Sequence, residues 1–131
     1  MIGGGPIPSI LLTPENTRLR VANGPGTGRV FTVEKMKMLV GRSDPPFITV
    51  DIDLKECELG AQPMVSRRHA EILWVNGELQ VVDLGSANGT FVNGSRLMGA
   101  GTRGPSNPVP LTLGALVKFG DVELEVGRDE R

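Results

Sequence analysis

Ser66 stands three residues before His69, the only histidine of the chain, in the stretch VSRRHAEI that begins at Val65. A serine near an imidazole suggests nucleophilic catalysis, with Asp83 as a third member. A working triad needs the hydroxyl in contact with the imidazole and a prepared oxyanion hole. No Gly-x-Ser-x-Gly elbow surrounds Ser66, and arginine follows it directly, so the pattern argues against a hydrolase. Metal chemistry finds little support either. One histidine and one cysteine, Cys57, cannot supply the clustered ligands of a zinc site, and no calcium-loop spacing occurs. No catalytic residue, metal or cofactor is expected. NGPGTGRV (Asn23 to Val30) has the glycines of a phosphate-binding loop but lacks the Lys-Ser/Thr pair and a following helix. It reads as a tight turn between strands.

Anion binding uses more of these residues. Arg42 ends the run KMLVGR, and Arg67 and Arg68 precede the run HAEILWV. Arginine offers a rigid fork of donors that matches phosphate oxygens and stays charged at any relevant pH. Ser66 adds a rotatable hydroxyl donor. Asn88 sits in SANGT, a turn between two strands, where its amide is placed to grip a peptide backbone. Arg68 precedes its strand and is expected to face away. Arg18, Arg103 and Arg128 read as solvated surface charges.

These residues need a frame of short strands. TRLRVANG alternates polar and apolar residues, as a half-buried strand does, and RVFTVEKM alternates again. In FITVDIDL, Ile48, Val50, Ile52 and Leu54 fall on one strand face, and Thr49, Asp51 and Asp53 on the other. Asn76-Gly77 lies between HAEILWV and ELQVVDL, a strong two-residue hairpin signal because both residues tolerate positive φ. A second Asn-Gly turn stands at Asn93-Gly94, and two closing strands flank Gly120-Asp121. DLKECEL (Asp53 to Leu59) reads as a solvated loop, with a single helical turn as the alternative, and Met98 to Pro110 as an irregular loop. No long amphipathic helix and no fixed-period repeat is apparent. The pattern points to an all-β sandwich.

The chain has 131 residues, enough for one compact domain. Its formal net charge of -1 is unlike the basic balance of a nucleic-acid binder. High glycine and proline counts, 18 and 10, fit many turns. A single cysteine excludes an internal disulfide, and the opening MIGGGPIPSILL has no basic region and too short an apolar run to span a bilayer. A reducing, cytoplasmic setting without membrane insertion is therefore expected.

Taken in order, VGR at 40–42, VSRRHAEI at 65–72, VVDLGSANGTFVNG at 81–94 and LVKFGDVELEV at 116–126 resemble the forkhead-associated (FHA) domain family. Each motif alone is weak, but their order and spacing together are specific. The likeness covers Thr17 to Gly127, leaving residues 1–16 as a flexible N-terminal tail and 128–131 as a C-terminal one. DIDL at 51–54 is similar to bacterial members. The resemblance implies a sandwich of two antiparallel sheets with binding loops at one end that reads phosphothreonine peptides, without catalysis, in Ser/Thr kinase signalling. On it, Arg42 would hold the phosphate and help anchor the peptide main chain. Ser66 would hydrogen-bond the phosphate, Arg67 would add charge, and Asn88 would bind the peptide backbone. Gly41, His69, Gly89, Asn93 and Gly94 would support the site, with His69 bracing loops rather than acting as a base. Family members often carry threonine where this chain has Ala87, so one hydroxyl near the phosphate is missing. Ser86 is an imperfect substitute.

Chemistry supports the same ligand. A phosphothreonine brings about -1.5 to -2 charge and several acceptor oxygens, and arginine clusters capture such groups. The expected partner is a phosphothreonine-bearing protein or peptide, or the chain's own tail through Thr13 or Thr17. The alternative is a phosphorylation-independent scaffold or assembly domain of the same fold, using the surface around FITVDIDL or the loop from Met98 to Pro110.

Overall fold

The structure, a computed structural model, describes residues 11–99 and 104–129. Eleven strands follow one another: β1 (Thr17–Val21), β2 (Val30–Thr32), β3 (Lys37–Gly41), β4 (Ile52–Asp53), β5 (Ala70–Val75), β6 (Glu78–Asp83), β7 (Thr90–Val92), β8 (Ser95–Arg96), β9 (Val109–Pro110), β10 (Leu116–Phe119) and β11 (Val122–Arg128). They form two sheets, with strand orders β2-β1-β11-β10-β7-β8 and β4-β3-β5-β6-β9. This is the β-sandwich that alternation predicts. One pairing departs from a purely antiparallel design, since β4 runs parallel to β3. Among the described residues no helix is long and apolar enough to cross a membrane.

Alternation decides which side chains meet between the sheets. Leu19 and Val21 of β1, Val40 of β3, Ile72 of β5, Val81 of β6, Val117 and Phe119 of β10, and Leu124 of β11 all point inward and are buried. Each such side chain contributes about 1.5–3 kcal/mol on leaving water. Trp74 joins them and donates its indole N–H to the Val33 carbonyl at 2.8 Å, so its one polar atom is satisfied. Asn76 and Gly77 both adopt positive φ, 51° and 81°, in the β5–β6 turn, and Asn93 and Gly94 do so in the β7–β8 turn at 50° and 87°. Both Asn-Gly signals therefore mark tight hairpins.

FITVDIDL departs from its predicted full strand. Only Ile52–Asp53 is strand, while Ile48 pairs back onto Asp44 in a turn. The acidic side chains take over bonds that a strand ladder would make. Asp51 accepts the Leu39 N–H at 2.8 Å and the Lys35 ammonium at 2.6 Å, and Asp53 accepts the N–H groups of Ser43 and Lys55. DLKECEL is not a solvated loop either. It holds a 3-10 turn, Lys55–Cys57, with Cys57 buried. The loop around Gly24–Gly26 lies on it so closely that a Cβ on Gly26 would come within 2.6 Å of the Cys57 sulfur. Those glycines permit close packing between two loops. Arg18 is not merely solvated: it pairs with Asp129 at 3.1 Å and donates to the Glu15 and Thr17 carbonyls.

Candidate functional site

Strand pairing gathers three connections at one end of the sandwich. Val40 near the end of β3 lies opposite Ala70 at the start of β5, and Ala70 lies opposite Asp83 at the end of β6. The chain leaving β3, the chain entering β5 and the loop from Leu84 to Gly89 are thus neighbours. Gly41 makes the closest approach. A Cβ there would strike the Arg67 carbonyl oxygen, so any other residue would push the Arg42 and Arg67 connections apart. The Arg42 N–H also donates a long bond to that carbonyl, at 3.4 Å.

His69 lies fully buried beneath these loops. Its Nδ1 accepts the Ser66 backbone N–H at 2.9 Å, which leaves the proton on Nε2 to donate to the Gly89 carbonyl at 2.9 Å. One neutral ring thereby ties two loops together. Burial lowers its pKa, against the opposing pull of the Gly89 carbonyl, Asp83 and Glu58. Ser66 Oγ makes no bond to the imidazole. It accepts the Ala87 N–H at 3.1 Å, so its own hydrogen remains available to an anion. Asp83 does not complete a triad. Its carboxylate accepts the Thr90 and Ser86 hydroxyls and the N–H groups of Gly85 and Ser86. Burial pushes the Asp83 pKa up, but these bonds together hold it below the usual value. Ser66, His69 and Asp83 are a scaffold, with no hydroxyl-to-imidazole contact to support catalysis.

The same network corrects the expectation for Ser86. Its hydroxyl donates to Asp83 and accepts the Gly89 N–H at 2.9 Å. It is occupied with holding the turn and does not replace a threonine at position 87. Asn88 is fixed by an Nδ2–H bond to the Met64 carbonyl at 3.0 Å. Among the described residues its Oδ1 has no hydrogen-bond partner, so it is an acceptor open to a peptide N–H.

Arg42, Ser66, Arg67 and Arg68 line one open cavity of about 530 Å³, together with Phe47 and Ile48. Arg42 is braced from behind. Its Nε donates to the Val65 carbonyl at 3.1 Å and lies 3.9 Å from the Glu58 carboxylate, whose side chain is only 8% exposed. That leaves its terminal nitrogens for a ligand. Glu58 Oε1 accepts the N–H groups of Met64 and Val65. Arg67 is more open and pairs with Asp44 at 3.2 Å.

The structure therefore brings Arg42, Ser66 and Arg67 to one cavity and sets Asn88 beside it through Met64. Gly41, His69 and Gly89 lie directly beneath. Asn93 and Gly94 do not reach it; Asn93 bonds Leu116 through its N–H and its Oδ1 at the other end of β7. Arg68, expected to face away, lines the cavity. Sequence reasoning missed Glu58, Asp44 and Gly120. Glu58 and Asp44 carry no motif. Gly120 has a signal in its turn position, but its role appears only in space. Its N–H donates to the Gly89 carbonyl at 2.9 Å, and a Cβ there would strike the Met64 carbonyl oxygen.

The own-tail ligand loses one of its two candidates. Thr17 is 0% exposed within β1, with its hydroxyl bonded to Asn16 Oδ1 at 3.2 Å. A phosphate there would have to be buried without compensation. Thr17 pairs with Arg128 at the end of β11 away from Gly120, so Thr13, four residues earlier, also lies at the end opposite the cavity. Residues 1–10 of the expected tail fall outside the described residues.

The FHA domain family profile matches residues 38–120, from β3 through the Gly120 turn. An oxoglutarate dehydrogenase inhibitor of Corynebacterium efficiens is 32% identical over 128 residues, covering 95% of this chain and 77% of that protein. The glycogen accumulation regulator GarA of Mycobacterium tuberculosis is 34% identical over 113 residues, covering 86% of this chain and 58% of its own length. The chain thus spans little more than half of GarA. A solved structure from work on phosphothreonine-dependent FHA domain interactions superposes with a TM-score of 0.61 at 25% identity, covering 86% of this chain and 95% of that one. The order of motifs, the sandwich and these likenesses agree: this chain belongs to the forkhead-associated domain family.

Proposed function

We propose that the domain is a non-catalytic interaction module that recognises phosphothreonine in a protein or peptide, as a reader of Ser/Thr kinase signalling in the cytoplasm. The observation that carries this reading is the convergence of Arg42, Arg67 and the free hydroxyl hydrogen of Ser66 on one open cavity. Two guanidinium forks and a hydroxyl suit a group with about -1.5 to -2 charge. Asn88 supplies the contact to the peptide main chain. Arg68 adds positive charge at the rim. The relatives named for inhibiting oxoglutarate dehydrogenase and regulating glycogen accumulation suggest a metabolic enzyme as the class of regulated partner. Isothermal titration with a matched pair of threonine peptides, phosphorylated and not, tests the reading. Equal affinity for the two would sink it.

One observation favours a phosphate-independent scaffold. Ala87 offers no hydroxyl, and Ser86 is turned inward. Arg42→Ala separates the readings, because partner capture collapses under the first and persists under the second.

A further inference from the structure

We propose that Asp44 is a built-in competitor for the ligand phosphate, a residue that sets the affinity of the site by holding Arg67 when no ligand is bound. This inference rests on the phosphothreonine reading above. The Asp44 carboxylate accepts from Arg67 Nη1 at 3.2 Å, at the rim of the cavity that Arg67 lines. A phosphate that recruits Arg67 must share it with this carboxylate or take it away.

Asp44 cannot easily withdraw. Its N–H donates to the Ile48 carbonyl at 2.9 Å, and its own carbonyl accepts the N–H groups of Phe47 and Ile48 at 2.9 and 3.1 Å. The turn holds its backbone in place, so the carboxylate stays near the incoming dianion after Arg67 swings away. Two like charges then face one another across the rim. The Arg67 backbone does not depend on Asp44 for its position. Its carbonyl is packed against Gly41 and accepts the Arg42 N–H. Asp44 thus opposes the ligand's charge without being needed to present the arginine.

The other arginine shows the contrast. Glu58 lies behind Arg42 on the Nε side, is nearly buried, and is itself held by the N–H groups of Met64 and Val65. It orients Arg42 without covering its terminal nitrogens. Asp44 is 42% exposed and bonds a terminal nitrogen of Arg67. One carboxylate aims an arginine at the ligand, and the other occupies an arginine that the ligand needs.

The test is a double-mutant cycle on the full chain. A phosphothreonine peptide is selected from a library on the unaltered domain, and it and its unphosphorylated twin are titrated into wild type, D44N, R67A and D44N/R67A. D44N is expected to bind the phosphopeptide about two- to fivefold more tightly, the range of an exposed ion pair, with an unchanged melting temperature. The gain should largely vanish in the R67A background. Equal or weaker binding by D44N, or the same gain with and without Arg67, would overturn the proposal. If wild type does not distinguish the two peptides, the phosphothreonine reading itself fails, and that is seen before any variant is compared.

Discussion

The two sides of the cavity are held together by different means. On one side, Ser66 and Asn88 ride on loops tied down by hydrogen bonds through the buried His69 and around the ionised Asp83 carboxylate. On the other, Arg42 and Arg67 reach in from the strand ends, and their charges meet carboxylates of unequal burial. Buried bonds carry a high penalty if left unmade, so they preserve shape. Exposed ion pairs contribute little to stability and exchange partners readily. The molecule keeps its site geometry in the first kind of bond and its ligand charge in the second.

Breaking the buried side gives the largest expected effect. Asp83→Ala removes an acceptor from two hydroxyls and two backbone N–H groups. Unfolding free energy should fall by about 3 kcal/mol or more, read by chemical denaturation. On the charged side, Arg42→Ala should weaken phosphopeptide binding about 10- to 150-fold, from roughly 1.5–3 kcal/mol of charge-assisted bonding. Arg42→Lys should restore only a part of this, because an ammonium cannot reproduce the fork. A calorimetric titration of both variants checks the ranking.

The hinge between the sides is His69. Its pKa is lowered in the fold, so below the ordinary value of 6.5 the unfolded chain takes up a proton that the folded one resists. Its contribution is fully present above that value and is lost as pH falls through the folded pKa. Stability should decline on acidification with a slope of at most about 1.4 kcal/mol per pH unit from this group. As the chain has no other histidine, denaturation curves between about pH 8 and 5 isolate the effect, and His69→Gln should flatten it. The smallest change is additive: Ala87→Thr supplies a hydroxyl at the rim and should tighten phosphopeptide binding by about 1 kcal/mol, measured in the same titration.

Much of this was legible in the sequence. Alternation marked the strands, Asn-Gly pairs marked two hairpins, and ordered motifs marked the family and half of the cavity lining, Arg42, Ser66 and Arg67. Other parts were not. FITVDIDL has the right period for a strand, yet Asp51 and Asp53 turn their carboxylates onto backbone N–H groups and end the pairing early. Periodicity cannot register a side chain that substitutes for a ladder bond. Glu58 and Asp44 were invisible for a related reason. Each acts on an arginine many positions away, and nothing local distinguishes them from solvated acids.

By itself the sequence determined the sandwich and the family, because strand period, turn residues and ordered motifs are local properties. Only the tertiary structure decided which arginine is aimed, which is occupied and which polar groups hold the loops. Those are matters of distance between residues that strand pairing brings together. Thr17 shows the difference most directly. Its sequence context admits phosphorylation, and its burial in β1 removes it.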